Sequence, residues 1–262
     1  MRALHETDRD MILDYVNHEP EVNLFFIGDI ENFGVDCSEV SVFANEISGE
    51  LDCLVLRYIN DFVVYSHHNS YEASSVTDFL KTQVVGMISG KAELIERLTA
   101  FFPERCLRPM IMTRCTAVRS DFKAPEDIEI RPLTVDDAEI ITDLMMLIDE
   151  FRATYTDKTA SLNKLRTNLL CGSTACGAFK NGALVSCAQA GASTSKSAMV
   201  MGVATHPDAR SKGYASAVVS SLCREAFLNG KAFLCLFYDN PIAGRIYNRI
   251  GFEPIGEFAL FK

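Results

Sequence analysis

The 262-residue chain reads as an α+β fold on a mixed sheet, laid out twice in tandem. Three observations predict this. Short apolar runs at strand spacing alternate with segments whose apolar residues recur every three to four positions. Two hairpin signals, around Gly49 and at Asn181-Gly182, join neighbouring strands. The opening Ala3–Ile12 can be laid beside Arg131–Ile140, each a short strand leading into an acidic helix start.

In the first half, strands are expected near 40–45, 52–58 and 62–66, then a helix near 71–82. A strand near 84–89, a helix near 91–102 and a strand near 110–118 follow. The polar stretch Ser120–Asp127, with Pro125, separates this half from the next. The expected domains are therefore 1–122 and 126–262. In the second half, Ile128–Leu133 alternates like a strand. Thr134 suits an N-cap with Asp137 three residues on, and Ile140, Ile141, Leu144, Met145 and Ile148 continue at helical spacing. A helix near 158–170 precedes a meander of Cys176–Lys180, Leu184–Ala190 and Ala198–Thr205. A helix over 213–228 ends at Gly230; strand Phe233–Tyr238, helix Ala243–Ile250 behind Pro241, and strand Gly256–Phe261 complete the chain.

Composition bounds the function. Hydrophobic residues make up 48% and charged residues 23%, enough to build a real core. No apolar run reaches the length of a membrane span, and the charged start MRALHETDRD lacks the apolar core of a secretory signal. A cytoplasmic protein with nine reduced, mostly buried cysteines is the expectation. The five histidines show no metal-ligand spacing with those cysteines, so no metal is expected. Residues 1–122 hold 10 basic and 20 acidic side chains, against 15 of each in 123–262. An acidic first half argues against nucleic acid as a partner, because phosphates need cations.

The chemistry concentrates in Val203–Ser216. A strand ends at Pro207; six residues on comes Gly213, with Arg210 and Lys212 between, and small residues then resume at helical spacing. Strand, cationic turn and helix N-terminus build an anion site, because the first helical amides have no partner within the helix. Gly213 permits close backbone approach, and the two cations add charge where the helix dipole already favours an anion. The corresponding turn of the first half, Ser66–Ser70, has no glycine, arginine or lysine, so that half is not expected to hold a phosphate-bearing cofactor in the same way.

Arg210-Ser211-Lys212-Gly213-Tyr214-Ala215 resembles the R/Q-x-x-G-x-G/A signature of the Gcn5-related N-acetyltransferases (GNAT). Asn240–Phe252 resembles a second motif of that family, N-x-x-A-x-x-x-Y-x-x-x-G-F. The resemblance covers residues 128–262 and implies a GNAT fold, with the first half a degenerate copy. It implies acetyl-CoA as co-substrate, with its pyrophosphate on Arg210, Ser211, Lys212, Gly213, Tyr214, Ala215 and Ser216. Val203, Ala204 and Thr205 would hold the pantetheine arm at a splayed strand edge, with Gly202 at a bulge, and a backbone amide near Val203 would polarise the thioester carbonyl. Asn240 would hydrogen-bond the arm or a nearby loop, and Tyr247 would stand by the sulfur as general acid. The implied reaction is direct acetyl transfer to an amine, small-molecule or peptide; neither a membrane nor nucleic acid is an expected partner, and a homodimer is the assembly considered. Many family members carry a glutamate on the strand before the phosphate turn, but Ser197–Val203 has no acid. Asp149, Glu150, Glu257 and a water chain remain open as the base. The rival readings are a non-catalytic acyl-CoA sensor or assembly module, and aminoacyl transfer, which would need a basic surface for RNA.

Overall fold

The computed structural model describes residues 1–119, 126, 128–152 and 154–262. The proposed linker, Ser120–Pro125 with Asp127, lies outside them apart from Glu126. The chain forms two compact units. One comprises Met1–Thr113, Phe237–Asp239 and Pro254–Lys262; the other comprises Arg114–Leu236 and Asn240–Glu253. Two segments from the C-terminal half thus belong to the first unit, which a linear division at residues 122–126 does not foresee.

The first unit opens with β1 (Arg2–Leu4), α1 (Arg9–Val16) and α2 (Leu24–Phe33). The antiparallel strands β2 (Val40–Ile47), β3 (Glu50–Tyr58) and β4 (Asp61–Tyr65) follow. Helix α3 (Ala73–Leu80) then leads to β5 (Ile88–Lys91), which pairs parallel to β4 through Phe62↔Ile88. Next come the short α4 (Ala92–Glu96) and β6 (Leu107–Cys115). Alternation along β3 and β4 sends Cys53, Val55, Phe62 and Val64 to one face, where they pack with Val76 and Leu80 of α3. Leu54, Leu56, Val63 and Tyr65 face the other way, onto Ile12, Val16, Phe26 and Ile30 of α1 and α2. Burying both faces explains why these strands read as nearly continuous apolar runs.

The second unit repeats this order. Strands β7 (Glu129–Leu133), β8 (Thr174–Lys180), β9 (Ala183–Gly191) and β10 (Ser197–Thr205) form an antiparallel meander. Helices α5 (Ala138–Met146) and α6 (Lys158–Leu170) lie between β7 and β8 in sequence. Ala138, Ile141, Leu144 and Met145 of α5 pack with Leu165 of α6, Ala175, Cys187 and Ala204. Helix α7 (Tyr214–Leu228) packs on β8, β9 and β10, and β11 (Phe233–Tyr238) pairs parallel to β10. Helix α8 (Pro241–Ile250) follows. The last strand, β12 (Glu253–Phe261), pairs through its final residues with β5 of the first unit, in register Phe258↔Lys91 to Phe261↔Ile88.

Four points of the sequence reading need correction. Helix α2 had no predicted counterpart. The helix expected near 91–102 stops at Glu96 and resumes only as a single turn at Thr99–Phe101, and the strand expected near 84–89 starts at Ile88. The alignment of the two openings is one residue out. His5 and Asp8 make the same reciprocal capping arrangement as Thr134 and Asp137, so His5 matches Thr134, not Leu133. Both predicted hairpins are present, with left-handed residues at Ser48-Gly49 and Asn181-Gly182, as twisted two-residue turns require. All nine cysteines are free thiols, six of them buried. No described helix is long and apolar enough to cross a membrane.

Candidate active site

Strand β10 is interrupted where the sequence reading placed a bulge. Its pairing with β9 shifts register between Met201 and Ala204, and Gly202 sits at φ +57°. A Cβ on Gly202 would stand 2.6 Å from the Gln189 side-chain nitrogen and 2.8 Å from the Met145 methyl, so a larger residue would displace both side-chain ends and be strained at this φ. The bulge makes Val203 half-buried and turns Ala204 inward. Ser186 Oγ anchors the strand beyond it, donating to the Ala204 carbonyl at 2.8 Å and lying 2.9 Å from Thr205 Oγ1. Pairing of β10 with β11 covers only Ser197↔Phe233 to Met199↔Cys235, although β10 runs on to Thr205. The strand edge from Val200 onward therefore diverges from its parallel neighbour, as a splayed pair does.

After β10 a single tight turn, Pro207–Ala209, carries the chain to the cationic loop. Ser211 (φ +63°) and Gly213 (φ +82°) both take the left-handed conformation. A glycine at the second position avoids the cost that a Cβ meets there. Nothing lies within 4 Å of where a Gly213 Cβ would be, so its outer face is open. Gly213 is the N-cap of α7 and supplies no side-chain cap. The amides of Tyr214, Ala215 and Ser216 are therefore left without helical acceptors at the positive end of a 15-residue helix. Tyr214 and Ser216 bury their side chains against the unit, so the sequence serves packing and presents backbone at once. Arg210, Ser211 and Lys212 are exposed. Lys212 Nζ donates to the Asp208 carbonyl at 3.0 Å, and Arg210 pairs with Glu150 at 3.5 Å.

Asn240 caps α8, its side-chain oxygen accepting the Ile242 N–H at 2.9 Å. That leaves its amide nitrogen as the group available to donate elsewhere. Tyr247 lies on the same helix, half-buried beside the Phe252 ring at 6.1 Å between centroids. Burial pushes its phenol up to about 12. Gly251, which ends α8, approaches the chain just after β6; a Cβ there would stand 2.4 Å from the Ala117 carbonyl.

All predicted site residues fall in the second unit: Val203–Thr205 on the bulged strand, Arg210–Ser216 in the turn and helix start, Asn240 and Tyr247 on α8. Of the acids considered as a base, Asp149 is paired with Arg152 at 2.5 Å and Glu150 with Arg210, while Glu257 belongs to the first unit. Gln189 and Tyr155 were not foreseen together. Gln189 is buried on β9 against Gly202, and burial raises the Tyr155 phenol, a rise the Gln189 side chain moderates. The sequence pointed to Tyr155 only through the polar stretch Arg152–Thr159, and nothing marked Gln189 within its apolar strand.

Residues 129–255 match the acetyltransferase (GNAT) domain family. Comparison with the curated proteins gives no match. Among solved structures the fold is similar over nearly the whole chain to a Drosophila protein, with a TM-score of 0.72 and 12% identity, covering 99% of this chain and 97% of that one. It is similar to a tandem GNAT protein from the clavulanic acid biosynthesis pathway, with a TM-score of 0.61 and 12% identity over 99% and 96% of the two chains. A GCN5-related N-acetyltransferase from Kribbella flavida gives 0.61 and 15% identity over 80% and 86%. The structural likenesses extend across both units and speak for the fold; the domain match in the second unit speaks for acyl transfer as the general chemistry. The bulged strand, the open glycine turn and the α8 motif all lie within residues 129–255, the segment that matches the acetyltransferase (GNAT) domain family, and the fold around them is that of the GNAT structures.

Proposed function

We propose that the second unit is an acetyl-CoA-dependent N-acetyltransferase that transfers the acetyl group directly to an amine. The observation that carries the reading is the start of α7. Two left-handed residues, an uncapped helix N-terminus, an open face over Gly213 and two exposed cations converge within seven residues. Successive amides in such a turn form a concave anion receptor. A diphosphate suits this donor set, because amides, dipole and cations all favour negative charge in one place. Acetyl-CoA, when bound, supplies an activated thioester acyl group.

The remaining roles follow from the chain's own residues. Ala204 and Thr205 stay in register with Cys187 and Ser186 of β9, while the edge of Val203, Ala204 and Thr205 away from β9 has no register with β11 and can bind an amide-bearing arm in strand fashion, and the Val203 amide can polarise a carbonyl. Asn240 donates its side-chain N–H to the same arm or to a nearby loop. Tyr247 is a neutral phenol throughout the physiological range, since burial raises its pKa. A phenol near 12 is a weaker acid than a thiol near 8.5. Tyr247 therefore stabilises a departing thiolate by donating a hydrogen bond rather than by surrendering its proton. Calorimetry with CoA and thiol release from acetyl-CoA in the presence of amines test the reading. It requires binding together with amine-dependent release; binding without turnover over a broad amine panel would convert the enzyme into a sensor.

A further inference from the structure

Ser186 is a fully buried hydroxyl on β9, and the next residues on its face of the strand, Ala188 and Ala190, are buried alanines. A polar group placed there must find partners, because burial strips it of water. Both of its partners lie on β10. Its single proton goes to the Ala204 carbonyl at 2.8 Å, since a carbonyl only accepts. The 2.9 Å contact with Thr205 Oγ1 is then donated by the threonine. Two hydroxyls in series, from Thr205 to Ser186 to the Ala204 carbonyl, tie the end of β10 to β9.

The ladder shows what this tie controls. The His206 N–H donates to the Val185 carbonyl at 2.9 Å, and in the same register Thr205 stands opposite Ser186 and Ala204 opposite Cys187. Antiparallel pairs alternate between bonded and non-bonded, so His206–Val185 and Ala204–Cys187 are bonded pairs and Thr205–Ser186 is not. The Thr205 N–H and C=O therefore point away from β9, to the edge that has no register with β11. Arg210 Nε reaches that carbonyl at 3.4 Å, so the same edge adjoins the cationic turn. Just before it, Gly202 and Val203 together oppose Ala188, and the ladder is broken there. No backbone bond to β9 holds Thr205 itself; its side chain does, through Ser186.

We infer that Ser186 is a positioning residue for acyl transfer: through the Thr205 hydroxyl it sets the rotation of the outward Thr205 amide and carbonyl, the groups assigned above to the pantetheine arm. The inference rests on the acetyl-CoA reading. Ser186 is buried and takes no part in the chemical step.

The experiment uses the full chain and two probes, CoA and ADP, titrated by calorimetry. Both present a diphosphate to the turn at the start of α7, and only CoA carries the arm. Ser186→Ala and Thr205→Val each remove one hydroxyl with little change of volume. Each should lower CoA affinity about five- to tenfold, the effect of losing one hydrogen bond. ADP affinity should stay within about twofold, since the turn keeps all its donors. Thr205→Ser, which keeps the hydroxyl, should stay within about twofold of wild type for both probes. The double variant Ser186→Ala/Thr205→Val should bind CoA no more weakly than Ser186→Ala, because both changes break one chain of bonds. CoA affinity unmoved in both single variants overturns the inference. So does a loss shared equally by CoA and ADP, which would make Ser186 a general packing residue, and so does a double variant whose loss is the product of the two single losses. Should Ser186→Ala fail to fold, Thr205→Val, at a half-buried position, carries the same test. Wild-type protein that binds neither CoA nor ADP removes the parent reading and the inference with it, an outcome seen before any variant is made.

Discussion

The turns after β4 and after β10 occupy the same step of the repeated order, yet they satisfy their helix starts in opposite ways. After β4 the turn Ser66–Ser70 closes on itself. Ser66 Oγ donates to the carbonyls of Asp52 and Ser70 at 2.7 and 2.8 Å. Asn69 accepts from Lys91 at 2.6 Å, and Lys91 pairs with Glu19 at 2.6 Å. Helix α3 is then capped by a carboxylate of its own, Glu72, which accepts the Ser74 N–H at 3.0 Å. After β10 the helix begins at a bare glycine, with exposed cations beside it. One unit carries its anion within the chain; the other leaves the place open. A duplicated fold can thus lose a ligand site by supplying an internal group that mimics the ligand's charge.

This contrast is broken most forcefully by reversing the charge of the open turn. Arg210→Glu loses a charge-assisted contact and adds repulsion, so CoA affinity should fall by about a hundredfold, as two interactions of about 1.5 kcal/mol would give. Calorimetry that finds the affinity unchanged would remove the diphosphate from this turn. The wild-type titration should saturate at one CoA per chain, because the helix after the Ser66–Ser70 turn is capped by its own carboxylate, Glu72, and the turn carries no glycine, arginine or lysine.

Next in size is Tyr247→Phe. Loss of a hydrogen bond to developing negative charge should lower kcat about ten- to a hundredfold with CoA affinity retained. A pH profile for kcat without a tyrosine ionisation below about 10 is the companion expectation, because burial holds the phenol protonated.

Smaller still is the effect of capping. Glu72→Ala removes the carboxylate over the α3 amides and should cost about 1 kcal/mol in urea unfolding. It should leave the stoichiometry at one, since the Lys91–Glu19–Asn69 network still closes the turn. Gly213→Ala should cost a similar amount, about 1 kcal/mol, through its left-handed conformation, and should weaken CoA as well. A second CoA bound by the Glu72→Ala protein would show that the cap alone distinguishes the two turns.

How much of this the sequence revealed depends on the range of the forces involved. The bounds of α6 at Lys158–Leu170, the Asn181-Gly182 turn and the Gly202 bulge are set by neighbouring residues, and they were legible. Helix α2 was not: Asn23 and Gly34 bracket it, but Leu24-Phe25-Phe26-Ile27-Gly28-Asp29-Ile30 has no clear polar face, and tertiary burial decides its form. The assignment of Pro254–Lys262 to the first unit rests on pairing with β5, some 170 residues away, which no local pattern encodes. The Glu150–Arg210 pair is likewise long-range in sequence. The turn at the start of α7 could be read because its parts are contiguous; the surroundings of Gly202 could not, because Met145 and Gln189 come from separate elements.

The finest comparison lies at the two chain openings. Arg131 holds Asp137 at 2.7 Å and lies over the Phe179 ring at 4.2 Å. The equivalent Arg2 is 3.9 Å from Asp8 and turns to Glu46 at 2.6 Å. The Arg131 hydrogen bond, with help from the Thr134 amide, holds the Asp137 carboxyl down at about 2, against an ordinary 3.8. A carboxylate held down in the folded state adds stability above its unfolded pKa and loses it as the proton returns. Its contribution is therefore full above about pH 4.5 and fades between 3.8 and 2. Because Arg131 is 38% exposed, solvent screening limits the pair to about 1 kcal/mol. Asp137→Asn and Asp8→Asn both keep an acceptor for the capping amide, so each removes the arginine pairing alone. At pH 7 Asp137→Asn should destabilise by about 1 kcal/mol and Asp8→Asn by less than about half that; the Asp137 deficit should vanish in unfolding measured near pH 2. Equal deficits for the two variants would mean that the closer arginine of the second unit adds nothing beyond the looser pairing of the first.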